Sequence, residues 1–140
     1  MITEDYVSFE TAKLLKEKGF DESISMVYMS YGHLRKLNRY DSIRNSNYND
    51  ITKNYFEYTA PTLQMAMKWL REDKKILISI FCHIDKGYWF CIQHFIDSPY
   101  KFATSESIHR KEEILGKIQY YDTYEQACEA AIKYCLKNLI

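Results

Sequence analysis

The chain has 140 residues, and its 19 Lys and Arg side chains balance 19 Asp and Glu side chains, so its formal charge at pH 7 is zero. This length favours one domain with a sizeable core. A neutral chain without a basic arm lacks the long-range attraction to phosphate that a protein coating long nucleic acid needs. No apolar run approaches the roughly 20 residues of a membrane helix, so we expect no membrane partner.

The first predicted element is a helix from about Ser8 to Lys18. Ser8 can cap it, and apolar side chains follow at helical spacing. Gly19 supplies a left-handed stop, after which Phe20 can fold back on Leu15. The sequence thus predicts both ends of this helix.

A hairpin and a long loop are predicted next. Strand-like residues 25–30 and 33–37 flank a turn at Tyr31-Gly32. Residues 38–58 are rich in Asn and Tyr and poor in aliphatic side chains, which predicts a long surface loop.

Pro61 is expected in the first turn of a second helix, because its missing amide hydrogen would have no partner there. Leu63, Ala66 and Leu70 then form an apolar stripe at helical spacing, with Trp69 at its shoulder.

Strands are predicted at 76–84 and 88–96, joined by the three residues Asp85-Lys86-Gly87. Pairing Ile84 with Tyr88 makes one face aliphatic, and we expect it to be core. The other face mixes aromatic and polar side chains and places His83 opposite Trp89.

The last third of the chain has one clear element. Residues 97–119 leave open a short strand at 100–104 and a short helix at 108–115, and 117–121 resembles a final strand. Thr123 and Gln126 predict a capping box at the start of a last helix that runs nearly to Ile140. Short connections without a strand-helix-strand rhythm predict an α+β fold with two layers, in which helices cover an antiparallel sheet.

The cysteines support neither a metal site nor a redox motif. Cys82, Cys91, Cys128 and Cys135 contain no CxxC pair. The spacing of Cys128 and Cys135 places both on one apolar helix face, where thiols behave as small hydrophobes. We expect buried structural thiols there, no metal and no cofactor.

Three groups of segments carry a family resemblance: YVSFE with AKLLKEKGF between Tyr6 and Phe20, APT from Ala60 with WLRE from Trp69, and YE from Tyr124 followed by EAA from Glu129. They resemble small uncharacterised proteins of bacteriophages and prophages, chiefly of gut Bacteroidales. The resemblance implies an accessory protein in the cytoplasm of a bacterial host cell. Small phage proteins of that sort often act by binding, including anti-defence proteins that sequester nucleotide immune signals or block a host factor.

Two groups of residues are candidate ligand contacts. Residues 33–53 contain five Lys and Arg against two Asp, interleaved with Tyr, a combination that suits a small anionic nucleotide. A solvated loop is the structural alternative. The mixed face of the second hairpin could stack a base, or it could be covered by a helix or a partner. The predicted ligand-binding residues are Arg35, Arg39, Tyr40, Arg44, His83, Trp89 and Gln93.

Catalytic motifs are absent: there is no HExxH, no GxSxG and no glycine-rich phosphate loop. We therefore expect a non-enzymatic protein that binds a small anionic ligand, with a small nucleotide hydrolase as the enzymatic alternative. A protein-interaction module, including a homodimer built from the tyrosine-rich loop and the second sheet face, is the other hypothesis.

Overall fold

The computed structural model describes residues 1–37, 49–50, 55–94 and 119–140. In these residues all paired strands are antiparallel and form two sheets, so the predicted α+β class is confirmed. The two-layer arrangement stays a prediction. The helices and strands are α1 Phe9–Glu17, β1 Met26–Met29, β2 Leu34–Lys36, β3 Asn49–Asp50, β4 Tyr55–Thr59, α2 Leu63–Asp73, β5 Ile76–His83, β6 Gly87–His94 and α3 Tyr124–Asn138.

The chain divides into two compact units, Met1–Leu63 and Gln64–Ile140. The first contains α1 and a sheet of order β2-β1-β4-β3. The second contains almost all of α2, the β5-β6 hairpin and α3. The single domain expected from the length stays a prediction.

Both predicted ends of α1 are confirmed. The Ser8 hydroxyl accepts a hydrogen bond from the Thr11 amide at 3.2 Å, which satisfies one of the unpaired donors of the first turn. At the other end Gly19 has φ +88°, and the amide of the buried Phe20 donates to the Leu15 carbonyl at 2.9 Å. This is the Schellman ending that the glycine predicts.

The first sheet confirms the β1-β2 hairpin and corrects the predicted loop. Residues 49–50 and 55–58 belong to the predicted loop, but they lie in β3 and β4, and β4 pairs with both β1 and β3. Aromatic and β-branched residues favour strands, and Glu57 and Thr59 alternate into the interior at 2% and 1% exposure. Residues 38–48 and 51–54 of the predicted loop lie outside the described residues.

The start of α2 differs from the prediction. The helix begins at Leu63, so Pro61 precedes the first turn. The carbonyl of the buried Pro61 accepts a hydrogen bond from the Val7 amide at 3.0 Å. This interaction does not require an amide hydrogen on Pro61. The apolar stripe is confirmed, since Leu63, Ala66 and Leu70 are buried.

The β5-β6 hairpin exists, but its predicted register is wrong by two residues. His83 pairs with Gly87, which leaves Ile84, Asp85 and Lys86 as the three-residue loop. Gly87 has φ +101° and lies in β6 instead of in the loop. A shift of two keeps each side chain on its face, and the predicted core face buries Ile76, Ile78 and Ile92. The prediction is wrong for Cys82 and Ile84, which are exposed because they lie at the loop end of the hairpin.

The last helix, α3, has the capping box that the sequence predicts. The Thr123 hydroxyl accepts from the Gln126 amide at 3.1 Å, and the Gln126 side-chain oxygen accepts from the Thr123 amide at 3.3 Å. Cys128 and Cys135 are buried as expected. Burial raises the pKa of the Cys128 thiol to about 11 and that of Cys135 to about 12.

Among the described residues, no helix has the length and apolar composition to cross a membrane.

Candidate functional site

The basic and aromatic residues predicted around 31–48 are described only in part. Arg35 lies in β2 opposite Val27 of β1. Arg39, Tyr40 and Arg44 lie outside the described residues. The structure therefore places one of these four predicted contacts.

Arg35 forms an ion pair inside the first unit. Its Nη2 atom lies 2.9 Å from Oε1 of Glu57, whose side chain is 3% exposed. Its Nε donates to the sulfur of Met29 at 3.0 Å. Since the buried carboxylate needs a cationic partner, Arg35 has a structural function whether or not it also contacts a ligand.

Lys16 of α1 contacts the backbone of the same glutamate. Its Nζ donates to the backbone carbonyl of Glu57 at 3.2 Å and lies 5.0 Å from the centre of the Tyr58 ring. Burial lowers the pKa of the Lys16 ammonium below its ordinary value, although the Glu57 carboxylate acts in the opposite direction. We call Lys16, Arg35 and Glu57 the buried ion cluster.

The second unit carries an aromatic group on the face of the hairpin opposite the aliphatic core. Phe81 and Trp89 are directly paired across β5 and β6, and their rings stack with centroids 4.4 Å apart and an interplanar angle of 21°. Phe81 remains 44% exposed, and Trp89 is half-buried. The pair forms a flat, partly accessible platform.

The prediction that His83 faces Trp89 is wrong. In the observed register Trp89 pairs with Phe81, and His83 lies at the end of β5 opposite Gly87. The His83 ring instead contacts Tyr120 edge to face at 6.0 Å, and its Nδ1 accepts a hydrogen bond from the Asp85 amide at 3.3 Å.

Tyr120 is positioned by the residue that follows it. Tyr121 and Tyr88 exchange two backbone hydrogen bonds of 2.8 and 2.7 Å, which attach this segment to the outer edge of β6. The Tyr121 carbonyl approaches Gly87 so closely that a side chain at that position would overlap it. The glycine therefore permits both the turn and the attachment.

Lys86, in the hairpin loop, lies above the same tyrosine. Its Nζ is 5.5 Å from the centre of the Tyr120 ring, and the residue is exposed. No carboxylate of the described residues lies within ion-pair distance of Lys86. We call this set the hairpin patch; its members are Phe81, His83, Lys86, Trp89 and Tyr120.

Gln93, the remaining predicted contact, lies on the same face as Trp89 and pairs with Leu77. Gln93 is four positions along β6 from Trp89, a distance of about 13 Å. The structure thus brings His83 and Trp89 to one end of the hairpin and leaves Gln93 toward the other.

Phe81, Lys86 and Tyr120 were absent from the predicted contacts. The register error explains the first omission, because it placed Phe81 away from Trp89. A strand position for Gly87 would have given the correct pairing. Lys86 is a loop residue in both registers, and no sequence signal connects it with the aromatic side chains. No local signal in the sequence places Tyr120 beside the hairpin.

The hairpin patch provides binding groups. An aromatic platform can stack a planar ring, and an ammonium and an imidazole at the same end can interact with an anion. Within the described ranges no three His, Cys, Asp or Glu residues are grouped to hold a metal ion.

Comparison with family models, curated proteins and solved structures found no match to this chain. The resemblance to phage and prophage proteins therefore stays a prediction.

Proposed function

We propose that this chain is a non-enzymatic accessory protein that binds a small anionic ligand, such as a nucleotide, on the hairpin patch. One observation carries the proposal: the Phe81-Trp89 stack is partly exposed and adjoins a lysine and a histidine at the end of the same hairpin. In the phage setting that the resemblance implies, the ligand is a nucleotide immune signal and binding sequesters it.

The chemistry of the patch matches the two parts of a nucleotide. A base stacks on the Phe81 or Trp89 ring, and such stacking is worth about 1–3 kcal/mol. The phosphate interacts with the Lys86 ammonium and accepts a hydrogen bond from Nε2 of His83, since Nδ1 of that ring already accepts from the Asp85 amide. A compact ligand needs few contacts, so a neutral protein can bind it without the basic surface that long nucleic acid requires.

Arg39, Tyr40 and Arg44 lie outside the described residues and stay predicted ligand contacts, which the proposal does not assign to the hairpin patch. Arg35 fits it less well, because Glu57 already neutralises its guanidinium. We therefore expect Trp89 to matter more for binding than Arg35.

Isothermal titration against cyclic dinucleotides, cyclic ADP-ribose variants and mononucleotides tests this function. We expect binding to one class and a loss of about 5- to 150-fold in Trp89→Ala, the range that stacking energies imply. Tyr6→Ala is the matched control, since it removes an exposed tyrosine outside both the patch and the basic stretch. Absence of binding at about 100 μM, a concentration that detects even weak complexes, would reject the proposal.

A protein-interaction module that inhibits a host factor is the second candidate. It is favoured by Ile84, which projects from the hairpin loop at 97% exposure beside the partly exposed Phe81. Exposed aliphatic and aromatic groups together are typical of interaction sites. Capture of a host protein that Ile84→Asp abolishes, with no heat in the nucleotide titrations, would favour this candidate.

A further inference from the structure

The charged side chains around the hairpin patch limit how much negative charge a ligand can carry. Lys86 is the one ammonium or guanidinium of the patch, and Asp85 precedes it in the same three-residue loop. Neither side chain has an oppositely charged partner within ion-pair distance among the described residues. The formal charges of the loop cancel, so the loop has an ammonium for one anionic group and no excess positive charge for a second.

A second carboxylate lies beside this loop. The antiparallel bridge between Tyr88 and Tyr121 places the next residue, Asp122, opposite Gly87. The Asp122 amide donates to the Gln126 side-chain oxygen at 3.2 Å, and the Asp122 residue is exposed. The end of the hairpin therefore carries two carboxylates and one ammonium.

His83 contributes a hydrogen-bond donor without a charge. Its Nδ1 accepts from the Asp85 amide at 3.3 Å, so that nitrogen carries no proton and the hydrogen of the neutral ring is on Nε2. A neutral donor binds a phosphate oxygen but does not offset its charge. Lys86 is consequently the one positive charge that the patch presents to a ligand.

The spacing along β5 determines which phosphoryl group reaches these donors. Phe81 and His83 are two positions apart on the same face, about 6.6 Å. One ribose provides about this separation between a base and its own phosphoryl group, so a base on Phe81 brings that group to His83 and Lys86. Past them the loop offers Ile84 and Asp85, an exposed aliphatic side chain and a carboxylate. A further phosphoryl group gains no cationic contact there.

We propose that the phosphoryl group bound by the hairpin patch is a singly charged phosphodiester, so that the ligand is a nucleotide phosphodiester, such as a cyclic nucleotide, and not a nucleoside mono-, di- or triphosphate. This inference rests on the proposed function and names the chemical class of its ligand. A terminal phosphate carries nearly two negative charges at pH 7.5, and a triphosphate carries more. Asp85 and Asp122 repel these additional charges.

Matched nucleotides test the charge directly by calorimetry at low ionic strength. Adenosine 5′-monophosphate and its methyl ester have the same base, ribose and phosphorus position but differ by nearly one charge at pH 7.5. The guanosine, cytidine and uridine pairs are titrated in parallel. We expect the ester to bind about two- to fivefold more tightly than the monophosphate, and the triphosphate to bind more weakly than either.

The results separate this inference from the proposed function. An affinity that rises from ester to monophosphate to triphosphate would overturn the inference and leave the proposed function in place. Absence of binding by all of these compounds and by cyclic dinucleotides would reject both.

Asp85→Asn tests the cause of the discrimination. It removes the carboxylate but retains the backbone amide that donates to His83. We expect the monophosphate to gain about two- to threefold more affinity than the methyl ester, because the ester has less charge to be repelled. Asp73→Asn is the matched control, at an exposed aspartate near the other end of β5, and should leave the ratio unchanged. An Asp85→Asn variant with the original ratio would contradict the inference.

Discussion

The buried ion cluster of the first unit and the hairpin patch of the second use similar residue types in opposite ways. In the cluster, Arg35 and Lys16 interact with Glu57, which is 2% exposed. In the patch, Lys86 is exposed and lies over an aromatic ring. The first arrangement satisfies its charges internally, whereas the second leaves its ammonium exposed.

The difference teaches that a local excess of basic residues does not by itself identify a ligand site. The +3 charge over residues 33–53 marked the Arg35 region in the sequence, yet Arg35 neutralises a carboxylate that the same fold buries. The hairpin patch has fewer cations, but its rings and its ammonium remain accessible. The role of a charged side chain depends on whether it is buried and on which group it pairs with.

The largest expected effect comes from breaking the buried ion pair. Arg35→Gln leaves the Glu57 carboxylate, whose side chain is 3% exposed, without its guanidinium, and we expect a loss of about 3 kcal/mol in the free energy of unfolding, measured with urea. Arg71→Gln is the matched control, because it removes the exposed Arg71-Glu72 pair at 4.0 Å and should cost under about 0.5 kcal/mol. Equal losses in the free energy of unfolding of the two variants would contradict the distinction between the buried and the exposed ion pair.

The two buried thiols predict a loss of stability at alkaline pH. Their folded pKa values of about 11 and about 12 lie above the ordinary value of 9.0, so the unfolded chain releases protons first. The stability is complete below pH 9 and falls as the pH rises toward 11 and 12. At pH 10 the loss is on the order of 1 kcal/mol for each thiol.

Urea unfolding at pH 8 and pH 10 measures this dependence. The double variant Cys128→Ala, Cys135→Ala should be less stable at both values but should lose correspondingly less between them. If the double variant lost as much stability between pH 8 and pH 10 as the unmodified chain, these thiols would not be the cause of the pH dependence.

Gly87→Ala tests how the patch is assembled. The added methyl group meets the Tyr121 carbonyl, and φ +101° is strained for alanine, so we expect a loss of about 2 kcal/mol and a displaced Tyr120. Gly19→Ala is the control, since it carries similar strain at φ +88° without any atom within 4 Å of the added carbon. Ligand binding should be weaker in Gly87→Ala and unchanged in Gly19→Ala.

The smallest effect concerns the charge of the patch. Lys86→Gln should weaken nucleotide binding about three- to tenfold and reduce its dependence on salt, because an exposed cation contributes modestly in water. Titrations at low and high salt measure this change. Lys75→Gln, at an exposed lysine outside the patch, should leave the affinity unchanged.

Helix ends were the most predictable part of this molecule. Ser8 and Gly19 delimit α1, and Thr123 with Gln126 starts α3, because each of these residues satisfies the backbone groups next to it. These are local interactions, and a single sequence contains all the information that they require.

The site was less predictable, since it depends on contacts between distant residues. The choice between Gly87 as a loop residue and Gly87 as a strand residue decides whether Trp89 faces His83 or Phe81. The partner of Arg35 is 22 residues away, in a segment whose tyrosines suggested a loop. Tyr120 lies beside the hairpin because its neighbour Tyr121 forms a β-bridge with Tyr88, and no local sequence pattern predicts that bridge.

The central claim is that the exposed stack on the hairpin binds the ligand, and fluorescence of Trp89 tests it most directly. Trp69→Phe removes the other tryptophan, which is 6% exposed and lies outside the patch, so that Trp89 becomes the only tryptophan reporter. We predict that the nucleotide found by calorimetry quenches this emission with the same midpoint as the heat signal. Saturable binding that leaves the Trp89 emission unchanged and persists in Trp89→Ala would contradict the account.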